Sequence, residues 1–279
     1  MPDKYVKQIV LPKKNSHKGE NGRVLVIGGS RLFHAASFWS ACMAAKIVDM
    51  VHFSSPAVEN NELMRVRAKS KFWEGIVVPW EEVGHYIEED DAILIGPGME
   101  RGEETKQIVN GLLRKYQDKK WVVDGGALQE VDPRLLNKNM IVTPNLRERE
   151  ILGDKIPKGV TVLSKGPVDI VSDGEEKVKI EGESAGMTKG GTGDVLAGLV
   201  SALYAKSPAF AACVVASRAN KRAGEKLEKR VGTFFSAAEL IPETQKVLGE
   251  ITKNGSLEDY SEFSFVRRVW SNLRKAGRA

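Results

Sequence analysis

From residue 23 onward, short apolar runs alternate with longer stretches in which apolar residues recur at helical spacing. The runs are residues 23–28 (RVLVIG), 50–55 (MVHFSS), 92–96 (AILIG), 121–125 (WVVDG) and 140–144 (MIVTP). Their apolar residues are continuous, not alternating, as strands covered on both faces require. Residues 37–48 and 103–117 have the length and composition of helices. This alternation predicts a mostly parallel sheet with crossover helices. Beyond residue 160 the pattern changes. Residues 160–164, 168–172 and 177–180 read as three consecutive strands, and Asp173-Gly174 is a hairpin signal. Helices follow at 192–205, 209–228 and 237–248. Pro208 and Pro242 suit first-turn positions, and Gly232 suits a break between the last two helices. An α/β body therefore ends in a β-meander and a helical layer, with no linker dividing it.

Composition narrows the class. The chain has 279 residues, 42% hydrophobic and 28% charged, as in a soluble globular protein. Its longest apolar run, residues 195–205, is shorter than the roughly 20 residues a membrane span needs. The polar, lysine-rich start shows no secretory signal, and Cys42 and Cys213 fall in alanine-rich helical patterns as small buried hydrophobes. A reduced, cytoplasmic location is expected. The formal charge of +5 is unevenly spread. Residues 1–20 carry five lysines against Asp3 and Glu20, a local +3. Residues 251–279 carry six basic residues against Glu258, Asp259 and Glu262, again +3, which leaves 21–250 at −1. Three segments result: a basic N-terminal extension (1–20), a catalytic domain (21–250) and a basic amphipathic C-terminal extension (251–279). In the last, Phe263, Phe265, Val266, Val269, Trp270 and Leu273 fit one helical stripe. The stripe favours packing on the domain or on another subunit over binding a membrane or nucleic acid, so a homo-oligomer is expected.

The segment richest in chemistry is residues 186–194, GMTKGGTGD, running directly into VLAGLVSALYA. It is a glycine-rich turn that opens a helix. First-turn amides lack intrahelical acceptors, the helix dipole adds positive character, and glycines let a phosphate approach. Asp194 at that mouth repels a phosphate, but it suits a base that takes the proton of a hydroxyl attacking phosphorus. An N-terminal aspartate that merely stabilises its helix is an equal reading of this segment alone.

GGTGDVLAG resembles the signature of ribokinase-like small-molecule kinases, and most closely the NAD(P)H-hydrate dehydratase branch. The resemblance runs from about Lys18 to Leu248. His17-Lys18-Gly19 and VLVIGGS (24–30) resemble the branch's first strand and substrate loop. Arg31-Leu32-Phe33-His34-Ala35-Ala36 stands where the family has an aromatic-Thr-Gly-Ala segment, so Ala36 matches its substrate-contacting alanine. IGPGM (95–99), with Gly98, resembles its glycine-proline-glycine turn. VDGGAL (123–128) resembles its Asp-Ala-Asp-Ala-Leu segment, and TPNLRE (143–148) its Thr-Pro-His-x-x-Glu. Lys165, Gly166, Pro167, Val168 and Asp169 fall where the family has a nucleotide-contacting turn. The order of these motifs is specific where each alone is not.

The resemblance implies a ribokinase-like three-layer α/β fold and the repair of hydrated NADH or NADPH. ADP, in preference to ATP, would drive dehydration through phosphorylation of the ring hydroxyl and loss of phosphate. Asp194 would be the base, and the amides around Gly191, Thr192 and Gly193 would stabilise the transferring group. Ala36, Gly98, Asn145 and Asp194 would contact the substrate. Asn145 and Glu148 would position Mg²⁺ and its waters, a role suited to oxygen donors. The sequence also departs from the branch. Asn145 replaces its usual histidine and matches the sugar and vitamin kinases, so a kinase of a small alcohol is the alternative. Gly126 replaces an aspartate, His34-Ala35 replaces Thr-Gly, and Ser184-Ala185 replaces Asn-Pro. About twenty residues precede the first strand, so no N-terminal epimerase domain is expected. The sequence lacks a P-loop, a G-x-S-x-G elbow and zinc-ligand spacing.

Overall fold

The computed structural model describes residues 4–69 and 74–257. The tail stripe from Phe263 to Leu273 lies outside these residues. In chain order the elements are β1 (Arg23–Ile27), α1 (Ala35–Ala44), β2 (Met50–Ser54), α2 (Val58–Ala68), β3 (Gly75–Val77) and α3 (Val83–Glu89). Then come β4 (Ala92–Ile95), α4 (Glu103–Lys115), β5 (Trp121–Val123), α5 (Gly125–Glu130), β6 (Met140–Val142) and α6 (Leu146–Leu152). The chain continues through β7 (Thr161–Ser164), β8 (Val168–Ser172), β9 (Lys177–Glu181), α7 (Thr192–Lys206), α8 (Ala209–Val231) and α9 (Ala237–Asn254).

The strands form one nine-stranded sheet in the order β3-β2-β1-β4-β5-β6-β7-β8-β9. The pairings from β3 through β7 are parallel, and β8 and β9 are added antiparallel. The meander read from the sequence is thus the far end of the same sheet. Successive residues of each central strand point to opposite faces, and both faces are apolar. Val24, Val26, Leu94, Val122 and Ile141 pack against α1, α7, α8 and α9. Leu25, Ile27, Ile93, Val123 and Val142 pack against α3, α4 and α5. The result is the three-layer α/β architecture that the sequence predicts.

Several details differ from the sequence reading. The polar helix α2 and the short strand β3 carry no clear apolar period, and Val58, Leu63 and Val66 are exposed. Pro242 lies in the second turn of α9, not the first. A capping box between Ser236 and Glu239 starts that helix at Ala237, so the proline follows five helical residues. Its missing N–H costs only the bond to Ala238, an exposed residue. Tyr5, Val6 and Ile9 of the basic N-terminal segment are buried in the core. Cys213 is fully buried, whereas Cys42 is half-buried, with burial pushing its thiol up to about 12. Among the described residues, no helix is long and apolar enough to cross a membrane.

Strand order reverses between β1 and β4, which opens a crevice at the carboxyl ends of the strands, where open α/β sheets bind ligands. A cavity of about 600 Å³ lies there, lined by Gly29, Ser30, Met99 and Glu100.

Candidate active site

The glycine-rich segment becomes the N-terminus of α7. Gly191 is the N-cap with φ +97°, and no side chain caps the helix. A Cβ at Gly191 would come within 2.3 Å of the Trp39 ring and 2.7 Å of Ala237. Only glycine meets both the left-handed backbone and this contact. Thr192 Oγ1 donates back to Met187 O (2.7 Å) and Lys189 O (2.9 Å), which ties the turn together. Lys189 Nζ donates to Phe235 O at 2.8 Å and to Thr233 O, joining the turn to the α8–α9 connection. Ser40 Oγ on α1 donates to Asp194 O at 2.8 Å. The first-turn amides are thus held rigidly, without a side chain of the protein on them.

Asp194 stands in the first turn of α7, behind the glycine N-cap, where its charge also favours the helix terminus. Burial, with the Asp124 charge adding to it and Lys165 opposing, pushes its carboxyl up to about 6. Lys165 Nζ lies 3.6 Å from the point a Cβ on Gly193 would occupy. It donates to Asp124 Oδ1 at 2.5 Å, and that oxygen also accepts from Thr143 Oγ1 at 2.6 Å. The backbone brings β6 and β7 together at the same level: Lys165 N–H donates to Pro144 O at 2.7 Å, and Asn145 bridges Lys165.

Asn145 and Glu148 open α6 with a reciprocal capping box. Asn145 Oδ1 accepts from Glu148 N–H, and Glu148 Oε2 accepts from Asn145 N–H, both at 2.9 Å. Glu148 is buried, and burial holds its carboxyl above the usual range against the pull of Lys165. Three carboxylates, Asp124, Glu148 and Asp194, therefore share the field of one ammonium. An oxygen-only donor set with surplus negative charge fits a hard divalent ion that keeps several waters. Among the described residues, no three His, Cys, Asp or Glu side chains converge as a protein-only metal cage.

On the switch-point side, Ala36 and Gly98 meet. A Cβ on Gly98 (φ +72°) would stand 3.3 Å from Ala36 Cβ and 2.1 Å from Phe33 O. The turn at 165–169 divides. Lys165 faces the carboxylates. Gly166, Pro167 and Val168 are exposed and line a cavity of about 550 Å³ with Arg149, Lys158 and Lys177. Asp169 points into the protein, where it accepts from Gly166 N–H (2.9 Å) and Ser217 Oγ (2.7 Å). Lys221 braces the same turn through Gly166 O (2.8 Å) and Pro167 O (3.0 Å). Sequence reasoning placed Asp124 and Thr143 in family-like segments but gave neither a part in the site. Their signal was their position at the ends of the two strands preceding Lys165.

Fold and geometry together define a ribokinase-like α/β protein in which an uncapped glycine helix terminus stands beside the Asp194 carboxylate. A ribokinase-like protein from Enterococcus faecalis matches 92% of the chain and 96% of its own, with a TM-score of 0.75 and 21% identity. The Bacillus subtilis ADP/ATP-dependent NAD(P)H-hydrate dehydratase, co-crystallised with ATP and Mg²⁺, matches 91% and 98%, with a TM-score of 0.72 and 18% identity. Residues 24–246 match the NAD(P)H-hydrate dehydratase family model, and the chain belongs to that family. It is 32% identical to the ADP-dependent (S)-NAD(P)H-hydrate dehydratase of Nitrosopumilus maritimus, over 89% of this chain and 96% of that one. It is 36% identical, over 84% of its length, to the bifunctional NAD(P)H-hydrate repair enzyme Nnr of Methanocaldococcus jannaschii, of which it spans 49%.

Proposed function

We propose that the chain dehydrates hydrated NADH or NADPH in a reaction driven by a nucleotide, with ADP favoured over ATP. The observation that carries this reading is Asp194. Its carboxyl is pushed up to about 6 beside uncapped glycine amides and one lysine. A base poised near neutrality beside an anion-accepting helix terminus suits phosphoryl transfer from a nucleotide to a hydroxyl.

The ring hydroxyl attacks the terminal phosphorus. The new O–P bond forms as the bond to the nucleotide oxygen breaks, its electron pair leaving with the nucleotide, and the hydroxyl proton passes to Asp194. The amides around Gly191, Thr192 and Gly193, with Lys165, take up charge on the group in transfer. Phosphate then departs with the C–O electron pair, a proton passes from the neighbouring carbon to water, and the C–H pair restores the ring double bond. Ala36 and Gly98 would bound the substrate, and the turn at 166–168 the nucleotide. Asn145 and Glu148 would hold Mg²⁺ through its waters, and the bound ion supplies positive charge to the nucleotide phosphates. Asp169 would serve the nucleotide indirectly, by shaping the turn.

The reading is tested by incubating the purified protein with hydrated NADH and ADP, then with ATP. Recovery of the nicotinamide absorbance supports it, and no turnover with either nucleotide overturns it. Asn145, in place of the branch's histidine, favours the alternative of a small-alcohol kinase. A stable phosphorylated product from an alcohol panel would support that alternative. A cytoplasmic homo-oligomer completes the proposal, and light scattering of the full chain checks the assembly.

A further inference from the structure

Asp124 lies in the VDGGAL segment that resembles the family, but no role in the reaction was assigned to it, and its placement is unusual. It stands at the carboxyl end of β5 as the N-cap of α5, where an aspartate ordinarily accepts from first-turn amides. Its side chain makes no capping bond. It is only 2% exposed. Instead it turns across β6, accepting from Thr143 Oγ1 at 2.6 Å and from Lys165 Nζ at 2.5 Å. Placing a buried ion pair here forfeits the ordinary cap, and such pairs add little net stability. Something other than stability is needed to account for it.

Lys165 suggests what. Its ammonium stands against the first turn of α7, within the field of Asp194 and Glu148 as well as Asp124. Only one of these three carboxylates bonds it. Without Asp124, the lysine's nearest electrostatic choices are Glu148 and the base itself. A lysine paired with Asp194 would mask the oxygen that must take the proton and would leave the turn where the phosphoryl group arrives.

We propose that Asp124 is a positioning residue of the reaction: it holds the Lys165 ammonium at the first turn of α7, facing the group in transfer, and keeps it off Asp194. The inference rests on the reaction proposed above. In the displacement Asp124 neither gains nor loses a bond or a proton. The hydroxyl–phosphorus bond forms, the nucleotide oxygen–phosphorus bond breaks, and the proton goes to Asp194, while Asp124 acts only through the lysine.

A double-mutant cycle on the full chain tests it, using Asp124→Asn, Lys165→Met and the pair. Nucleotide-driven dehydration of hydrated NADH is the readout. Asp124→Asn is expected to lower kcat about tenfold to a hundredfold, with both KM values within about threefold of wild type. The double variant should be no slower than Lys165→Met alone, because Asp124 has nothing left to position. Asp124→Glu, which restores the charge, should recover part of the loss. A purely structural Asp124 would give losses that multiply, and that outcome overturns the proposal, as does a raised KM at unchanged kcat. Should Asp124→Asn not fold, the cycle is run with Asp124→Glu: its kcat loss must vanish in the Lys165→Met background, and persistence overturns the proposal. A wild-type protein without turnover defeats the reaction and this inference together. An active wild type with a multiplicative cycle defeats the inference alone.

Discussion

Two helix N-termini face the same site and are finished in opposite ways. α6 closes on itself: Asn145 and Glu148 satisfy each other's amides at 2.9 Å in both directions. α7 begins at a left-handed glycine with no side-chain cap. The first is a terminus completed from within the sequence, and what it offers the site is a buried carboxylate. The second is a terminus whose first-turn amides carry no side-chain cap. Under the proposed reaction, the contrast would let one crevice present negative charge at one wall and accept a phosphate at another.

The sharpest way to break this comparison is at Asp194. Asp194→Asn is expected to lower turnover by about a thousandfold or more, measured as kcat with saturating nucleotide. The same variant should be more stable than wild type at neutral pH. The folded carboxyl titrates near 6, above its ordinary 3.8, so its favourable contribution is complete below 3.8 and is lost as pH rises through 6. Removing the charge should gain up to about 2 kcal/mol in denaturant unfolding above pH 7, and the gain should disappear near pH 4. Gly191→Ala comes next. The left-handed backbone and the Trp39 ring both oppose a side chain, so a loss of about 3 kcal/mol and greatly weakened nucleotide binding by calorimetry are expected. Adding Trp39→Leu should restore only part of it, since the backbone strain remains.

Smaller effects sharpen the roles. The base must be ionised to act, so kcat/KM should fall as pH drops through about 6, tenfold per unit well below it. Asn145→Ala should cost about 1 kcal/mol of stability by opening the capping box. Its effect on turnover should stay well below that of Asp194→Asn if α6 is finished from within. A loss equal to that of Asp194→Asn would erase the distinction between the two termini.

Much of the molecule was legible along the chain because the central strands are buried on both faces. RVLVI, AILI, WVV and MIV have no polar alternative to accommodate. Helix α2 was not legible, since VENNELMRVRA shows no stripe and owes its place to a few contacts such as Met64. At the site, the turn from Gly191 to Asp194 was legible as a glycine-rich helix opening. The base at Asp194 rested on the family resemblance, the segment alone leaving a helix-stabilising aspartate equally open. The Asp124–Lys165 pair was not legible. Its partners lie 41 residues apart and meet only because β5 and β7 flank β6 in parallel register. The cap at Asn145 was written in the Asn-x-x-Glu spacing, although that spacing also resembles a metal motif.

The sheet's two ends deserve a last comparison with its middle. β3 is three residues long, and β9 carries Lys177, Lys179 and Glu181 outward between buried Val178 and Ile180. Arg218 Nη1 also donates to Glu181 O at that border. A brief strand and a charged one make poor templates for another chain to extend. Nine strands with a strongly apolar centre could seed fibrillar stacking, and these two borders oppose it, keeping a sheet built for a small-molecule crevice from growing into a larger one.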